Sequence, residues 1–324
     1  MEGLPDYFVL CGKDSYRAYT TSYRPTNIYF ECSVKLRGFT KDIKIVSIRP
    51  PDTPHVFPVI KKELVYVYKS NLRKCIRRKL VDRAVRSAYA LLCIDPCTAL
   101  RRLPIIMIED VLPHPSIVPI VWWMMATTKG YQLSDGEVSY ILGVVYELCQ
   151  IDLYQVKNHL CKSSGRVDPK EWSALPQTRK DLLWSMEFRR GYGGMACDRE
   201  MIEYLQRGWI ERFRNKDRLW DYLKAIEISP LDLKTLGVCD KEDIILEAID
   251  QHCFTWIPSK LSTKVPFSTY QIKGAIWYYR SRINARKVCD GSVPLIHHPE
   301  LEVVYREIED ELERLCLWIY TNIL

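Results

Sequence analysis

Lys61-Lys62-Glu63-Leu64-Val65-Tyr66-Val67-Tyr68-Lys69-Ser70-Asn71-Leu72-Arg73-Lys74-Cys75-Ile76-Arg77-Arg78-Lys79-Leu80 is the stretch whose reading decides the fold. Its apolar positions continue to Leu92, and Leu64, Val65, Tyr68, Leu72, Cys75, Ile76, Leu80, Ala84, Ala88, Leu91 and Leu92 recur at three- and four-residue steps. That is the period of one helix face, so a single basic helix is expected from Lys61 to Leu92. Asp95-Pro96 ends it, because proline cannot continue a helix but fits the first turn of the next one. The next helix carries Ala99-Leu100-Arg101-Arg102-Leu103-Pro104, then Glu109-Asp110-Val111. Ile117 to Thr128, with Trp122 and Trp123, is apolar nearly all round. It is shorter than the roughly 20 residues that a bilayer span needs, so a buried helix is expected.

Upstream, the pattern changes period. Ile28, Phe30, Cys32, Val34 and Leu36 alternate with Glu31, Ser33 and Lys35, which predicts a half-buried strand. Ile43 to Ile48 reads as its antiparallel partner across a loop containing Gly38, and Tyr7 to Leu10 as a third strand. Prolines 50, 51, 54 and 58 form an extended connection. Downstream, Ser134 with Glu137 makes a capping box for a helix through Cys149. Ser163 to Arg166, with Pro169 and Pro176, marks an internal boundary. Further helices are expected over Thr178–Phe188, from a cap at Asp198 through Trp209, over Ile244–Cys253 from a cap at Asp240, over Thr269–Asn284, and from Pro299 onward. Gly191-Tyr192-Gly193-Gly194 forces a turn or a close backbone approach.

The expected fold is therefore mainly α, with multi-helix domains and a small antiparallel β-rich N-terminal unit. The expected domains are 1–60 (β-rich), 61–160 (helical, with the basic helix) and 161–324 (a second helical region).

With 324 residues, 47% hydrophobic and 27% charged, the chain has the material for a real core. Its net charge of +7 is compatible with nucleic acid or another anionic partner without requiring one. The opening Met1 to Asp6 has no basic, apolar leader, and the 12 cysteines follow no pairing pattern. These features predict reduced thiols and an intracellular location, cytoplasmic or nuclear. No membrane partner is expected.

The charge is concentrated. Ten Lys/Arg lie between Lys61 and Arg86 against Glu63 and Asp82, a local balance of +8, so the remainder of the chain sums to about −1. Guanidinium and ammonium groups on one helix face suit phosphate backbones, because each neutralised phosphate releases counterions. Arg73, Lys74, Arg77, Arg78 and Lys79 are the candidate nucleic-acid-binding residues, with Arg101 and Arg102 added from the second helix. The competing explanation is internal or subunit pairing. The last helix offers an acidic partner in Glu300, Glu302, Glu307, Glu309, Asp310, Glu311 and Glu313. Arg101 and Arg102 each have an acid eight residues on, at Glu109 and Asp110, and so could equally belong to an internal ion network. Trp277-Tyr278-Tyr279-Arg280-Ser281-Arg282, followed by Arg286 and Lys287, interleaves rings and cations as single-strand-binding surfaces do. A core helix with amphipathic rims explains the same pattern. Arg189-Arg190 before the glycine run could bring backbone amides to a phosphate.

Lys74-Cys75-Ile76-Arg77-Arg78, Ala84, Ala88, Ala99-Leu100-Arg101-Arg102-Leu103 and Glu109-Asp110-Val111 together resemble the helical region that follows the ATPase domain in clamp-loader-like AAA+ proteins. The likeness is to the replication-associated recombination ATPase family and covers about residues 70–129. It implies an α-helical scaffold, self-assembly and an association with DNA metabolism. It does not imply ATP hydrolysis, because the Gly-x-x-x-x-Gly-Lys-Ser/Thr loop is absent and a β-rich segment stands where the ATPase domain would be.

No catalytic, cofactor or metal site is assigned. Cys93 and Cys97, His252-Cys253 and His297-His298 do not complete a tetrahedral ligand set, and a thiol nucleophile with His159 or His252 has nothing in its favour. The function expected is a non-enzymatic, oligomeric nucleic-acid-associated or assembly factor, with DNA or RNA and self-association or a protein as partners. The alternatives are a structural interaction subunit that uses the basic helix and the acidic last helix, and an enzyme of unrecognised family near Gly191 to Gly194.

Overall fold

The structure is a computed structural model that describes residues 4–12, 15–151, 167–281 and 298–324. Lys13, His159, the polar loop Ser163 to Arg166, Arg282, Arg286, Lys287 and His297 lie outside the described residues. The elements in chain order are strands β1 (Tyr7–Cys11), β2 (Arg17–Thr21), β3 (Phe30–Val34) and β4 (Ile43–Ser47), then helices α1 (Val65–Arg77), α2 (Val81–Ile94), α3 (Pro96–Asp110), α4 (Ile117–Thr127), α5 (Asp135–Gln150), α6 (Gln177–Gly191), α7 (Ala196–Arg214), α8 (Leu219–Ala225), α9 (Ile257–Leu261), α10 (Thr269–Ile276) and α11 (Pro299–Asn322). The protein is mainly α with a small, mostly antiparallel sheet at its start. Among the described residues no helix is long and apolar enough to cross a membrane, and the ten cysteines are free thiols.

The chain folds into two compact units, each built from two separated stretches. One comprises Met1–Phe57 with Asp95–Leu233, the other Pro58–Ile94 with Lys234–Leu324. The units do not follow the consecutive order 1–60, 61–160 and 161–324. Local periodicity cannot register partners as distant as Asn71 and Asp243, 172 positions apart. The stretch resembling the post-ATPase region is divided between the units at Asp95.

In the first unit the sheet order is β2-β1-β4-β3, two hairpins laid side by side. β3 and β4 form the expected antiparallel pair, while β1 and β4 meet in parallel at the centre. The central strands are buried on both faces, as Phe8, Val9, Leu10, Ile45 and Val46 require. α4 is apolar on every side and is buried from Ile117 to Ala126, packed against the sheet, where the Trp122 indole donates to the Phe8 carbonyl at 3.0 Å. α6 lies beside β2. Its Asp181 accepts from the Thr20 amide and hydroxyl, both at 2.8 Å, and from Gln177 at 2.8 Å. Burial pushes Asp181 up to about 6, against the opposing hydrogen bonds of Thr20 and Gln177 and the charge of Lys180. The Ser134–Glu137 capping box is present, and Glu137 also accepts from Trp123 and Tyr131.

In the second unit, α2 packs on α1. Asn71 is fully buried between them, donating to Ser87 and to the Asp243 carbonyl, both at 2.8 Å, and accepting from the Ile245 amide at 3.0 Å. A separate apolar cluster joins Ile249, Ile257, Leu261, Ile272 and Ile276 to one stripe of α11: Val304, Ile308, Leu312, Cys316 and Ile319.

Three local expectations are corrected. The basic helix is two helices, α1 and α2, because Lys79 adopts φ 57°. The Leu80 amide then bonds the Cys75 carbonyl (2.9 Å) and the Lys79 amide bonds Ile76 (3.1 Å), the Schellman pattern with lysine in glycine's usual place. Ile244 to Cys253 is not an α-helix. Asp240 caps a short 3-10 turn at Lys241–Asp243, and a second turn follows at Leu246–Ala248, because this segment's polar groups are engaged by α1 and α2. Asp198 does not cap α7, which starts two residues earlier and has Asp198 within its first turn.

Candidate functional site

The seven residues singled out by charge separate into two groups. Arg73, Lys74, Arg77, Arg78 and Lys79 belong to the second unit, Arg101 and Arg102 to the first. The first group is largely internal. Lys74 and Arg77 are buried, Arg73 and Arg78 half-buried, and Lys79 alone of the five is exposed. The Lys74 ammonium meets the Asp250 carboxylate at 2.5 Å and Ser70 at 2.9 Å. Burial works against charge on Asp250, but Lys74 and His252 outweigh it and hold its carboxyl well below the usual carboxylate range. Arg78 stands 3.9 Å from Glu247, and Arg86 3.4 Å from Asp243. The acids facing these cations come from the 243–250 segment. On α11, Glu302 pairs with Arg306, while Glu311 pairs with Lys264 and Arg314.

The second group has a different environment. On α3, Arg101 is exposed and Arg102 half-buried. Where α6 ends, Arg189 is buried and donates from Nε to the Arg101 carbonyl (3.3 Å) and from Nη1 to the Gly193 carbonyl (2.7 Å). Burial lowers Arg189 to about 10. Asp198 opposes that shift, while the positive charges of Arg101 and Arg102 add to it. The Arg101 guanidinium lies 5.7 Å from the centre of the Tyr192 ring, whose hydroxyl donates to Thr128 at 2.8 Å. Gly193 and Gly194 have φ 106° and 119°, conformations that side-chain-bearing residues rarely adopt. A methyl group on Gly194 would sit 3.7 Å from the Arg189 guanidinium and 3.9 Å from the Asp198 carboxylate. The adjoining Arg190 is satisfied by Glu187 (2.6 and 2.8 Å) and Glu203 (3.2 Å). Asp110 is fully buried and Glu109 half-buried on the same helix.

Arg189 therefore joins the Arg101 backbone to the glycine turn, where the charges of Arg101, Arg102 and Asp198 all act on it. Such a site can hold a phosphate, because planar guanidiniums match its oxygens and the glycines leave room at the backbone. The sequence pointed separately to Arg101-Arg102 and to Arg189 with the glycine run. That they meet was not legible, because 88 residues separate Arg189 from Arg101. Among the described residues no group of three or more His, Cys, Asp or Glu could hold a metal ion. Sequence reasoning missed the groove in the second unit between Trp256 and Trp318. The four-residue steps Trp256, Lys260 and Lys264 were its available signal.

No family model matches the chain, and no curated protein or solved structure matches it either.

Proposed function

We propose that the protein is a non-enzymatic nucleic-acid-associated factor that holds a phosphate backbone against Arg101, Arg102 and Arg189. The observation that supports this is the Arg189 guanidinium, which donates to the Arg101 and Gly193 carbonyls beside a turn without side chains at Gly193 and Gly194 and feels the charges of Arg101 and Arg102. Like charges repel one another in the free protein, and a phosphate bound among them offsets that repulsion. Phosphate contacts of this kind position a backbone without reading its sequence. The resemblance of residues 70–129 to a helical region associated with DNA metabolism agrees with this reading, and it adds self-assembly as a second property of the same scaffold.

Titrating labelled DNA and RNA with the full chain, at about 50 and about 200 mM salt, tests the proposal. Binding should weaken steeply with salt, and Arg101→Glu with Arg102→Glu should weaken it and lower the salt slope by about one for each phosphate no longer held. Absence of binding at the lower salt, or a titration indifferent to both reversals, rejects the reading.

The second reading is a structural interaction subunit. It is favoured by the internal neutralisation of the densest basic stretch, where Lys74, Arg78 and Arg86 each face an acid. A sharply defined oligomer with no affinity for nucleic acid would select it.

A further inference from the structure

In the second unit, α9 and α11 frame an open groove of about 640 Å³ between Trp256 and Trp318. Its remaining lining includes Lys260, Lys264, Glu311 and Arg314. The indoles are 40% and 51% exposed, although tryptophan is a residue that folding ordinarily covers. The helix pattern explains why they stand here. Glu311, Arg314 and Trp318 follow one another at three- and four-residue steps on α11 and form a stripe distinct from the buried one at Ile308, Leu312 and Ile319. Trp256, Lys260 and Lys264 follow at four-residue steps along and just beyond α9. The apolar cluster under both elements fixes them through Ile257, Leu261, Leu312 and Cys316.

The residues that line the groove have a positive balance, while Glu307 and Asp310 stand exposed one helical turn before Glu311 and Arg314 on α11. One carboxylate, Glu311, is shared between the Lys264 ammonium and the Arg314 guanidinium (3.4 Å). Lys260 is exposed beside them, so three cations face one acid and the local balance is +2. Exposed flat rings combined with flexible cations are what a strand of unpaired bases requires. Each base offers a face to stack on, and its phosphate lies one backbone step away. A duplex keeps its base faces covered and would use the cations alone. A peptide of acidic residues alone would likewise leave the indoles without a role.

We propose that this groove binds single-stranded nucleic acid, with bases stacked on Trp256 and Trp318 and phosphates on Lys260, Lys264 and Arg314. The proposal shares with the preceding section only the class of ligand. Its residues are in the other unit, and the two fail independently.

The test uses the full chain and fluorescence anisotropy of a labelled oligothymidylate of about 20 nucleotides, beside a duplex of equal length, at low salt. The single strand should bind more tightly than the duplex. Trp256→Ala and Trp318→Ala should each weaken single-strand binding about tenfold and leave the duplex titration unchanged. Trp256→Phe and Trp318→Phe keep a ring in place and should retain most of the affinity, which separates loss of stacking from loss of folding. Lys260→Glu, on an exposed side chain, should weaken binding and leave the unfolding curve unchanged. The single-strand preference should survive Arg101→Glu with Arg102→Glu, so that failure of the first-unit site is read separately. Equal affinity for single strand and duplex overturns the proposal, as does absence of oligonucleotide binding or indifference to both alanine variants. Competition by poly-glutamate at equal charge would assign the groove to an acidic protein partner and also overturn it.

Discussion

The two basic regions invert what their sequences suggest. The second unit has the densest run of cations in the chain, yet Lys74, Arg78 and Arg86 are met by Asp250, Glu247 and Asp243, and Lys74 and Arg77 are buried. In the first unit Arg189 bonds the glycine turn, and the charges of Arg101, Arg102 and Asp198 act on it. Charge density along a chain therefore measures the supply of cations and not their availability. A buried cation needs a buried acid, and an acid recruited from another part of the sequence cancels a local excess.

The contrast can be broken most completely at α11. Ending the chain before Pro299 removes Val304, Ile308, Leu312, Cys316 and Ile319 from the second unit's apolar cluster. At about 1.5–3 kcal/mol for each large buried side chain, the loss rivals the whole stability of a domain. The second unit should unfold, exposing its basic helices, and limited proteolysis should cut α1 and α2 first. An unchanged melting temperature and digestion pattern would contradict this account of the core.

A smaller effect is expected at the buried pair. Lys74→Met or Asp250→Asn leaves one charge buried without its partner and should cost about 3–5 kcal/mol, measured by urea unfolding. Lys74→Met combined with Asp250→Leu should recover most of that loss, because both charges then leave together. A double variant as weak as the sum of the two singles would show that packing, not charge, is what the pair supplies.

Acidity sharpens the comparison further, because two buried aspartates, Asp181 in the first unit and Asp250 in the second, are shifted in opposite directions. Asp250 has its folded pKa depressed below the ordinary value of about 3.9, so it stabilises the fold at neutral pH. That contribution is lost as pH falls below about 4 and towards the folded pKa. Asp181 is raised to about 6, so its folded form binds the proton more tightly than the unfolded chain does. Its contribution is greatest below about pH 4 and is lost as pH rises to about 6, a change of at most about 3 kcal/mol. Asp181→Asn should flatten the stability profile between about pH 4 and 6, whereas Asp250→Asn should flatten only the acid limb. Profiles unchanged by either substitution would remove the assigned role of both carboxyls.

What was legible in the sequence was local. The alternation from Ile28 to Leu36 gave β3, and the unbroken apolar surface around Trp122 and Trp123 gave α4. Ser134 with Glu137 gave the cap of α5, and Asp95-Pro96 gave the joint between α2 and α3. Each of these depends on neighbours within a few positions. The break at Lys79 was hidden because a lysine, not a glycine, takes the left-handed conformation. The expected helix over Ile244–Cys253 failed because Asp243 and Asp250 face Asn71, Arg86 and Lys74, more than 150 positions earlier. The arginine site was half legible, since Arg101-Arg102 and the glycine turn were both marked, but their meeting depends on the Arg189 side chain reaching the Arg101 carbonyl, 88 positions earlier.

The interleaving of the two units along the chain also orders their birth. Residues Asp95–Leu233 are made after α1 and α2 and before the segment that completes them. Lys74 waits for Asp250, 176 positions later. At about 5–20 residues per second of synthesis, that is a delay of roughly 10–35 s. During it, the most cationic helices of the chain emerge beside ribosomal RNA without their acids. A chain arrested before residue 243 should therefore bind polyanions more tightly through α1 and α2 than the finished protein does.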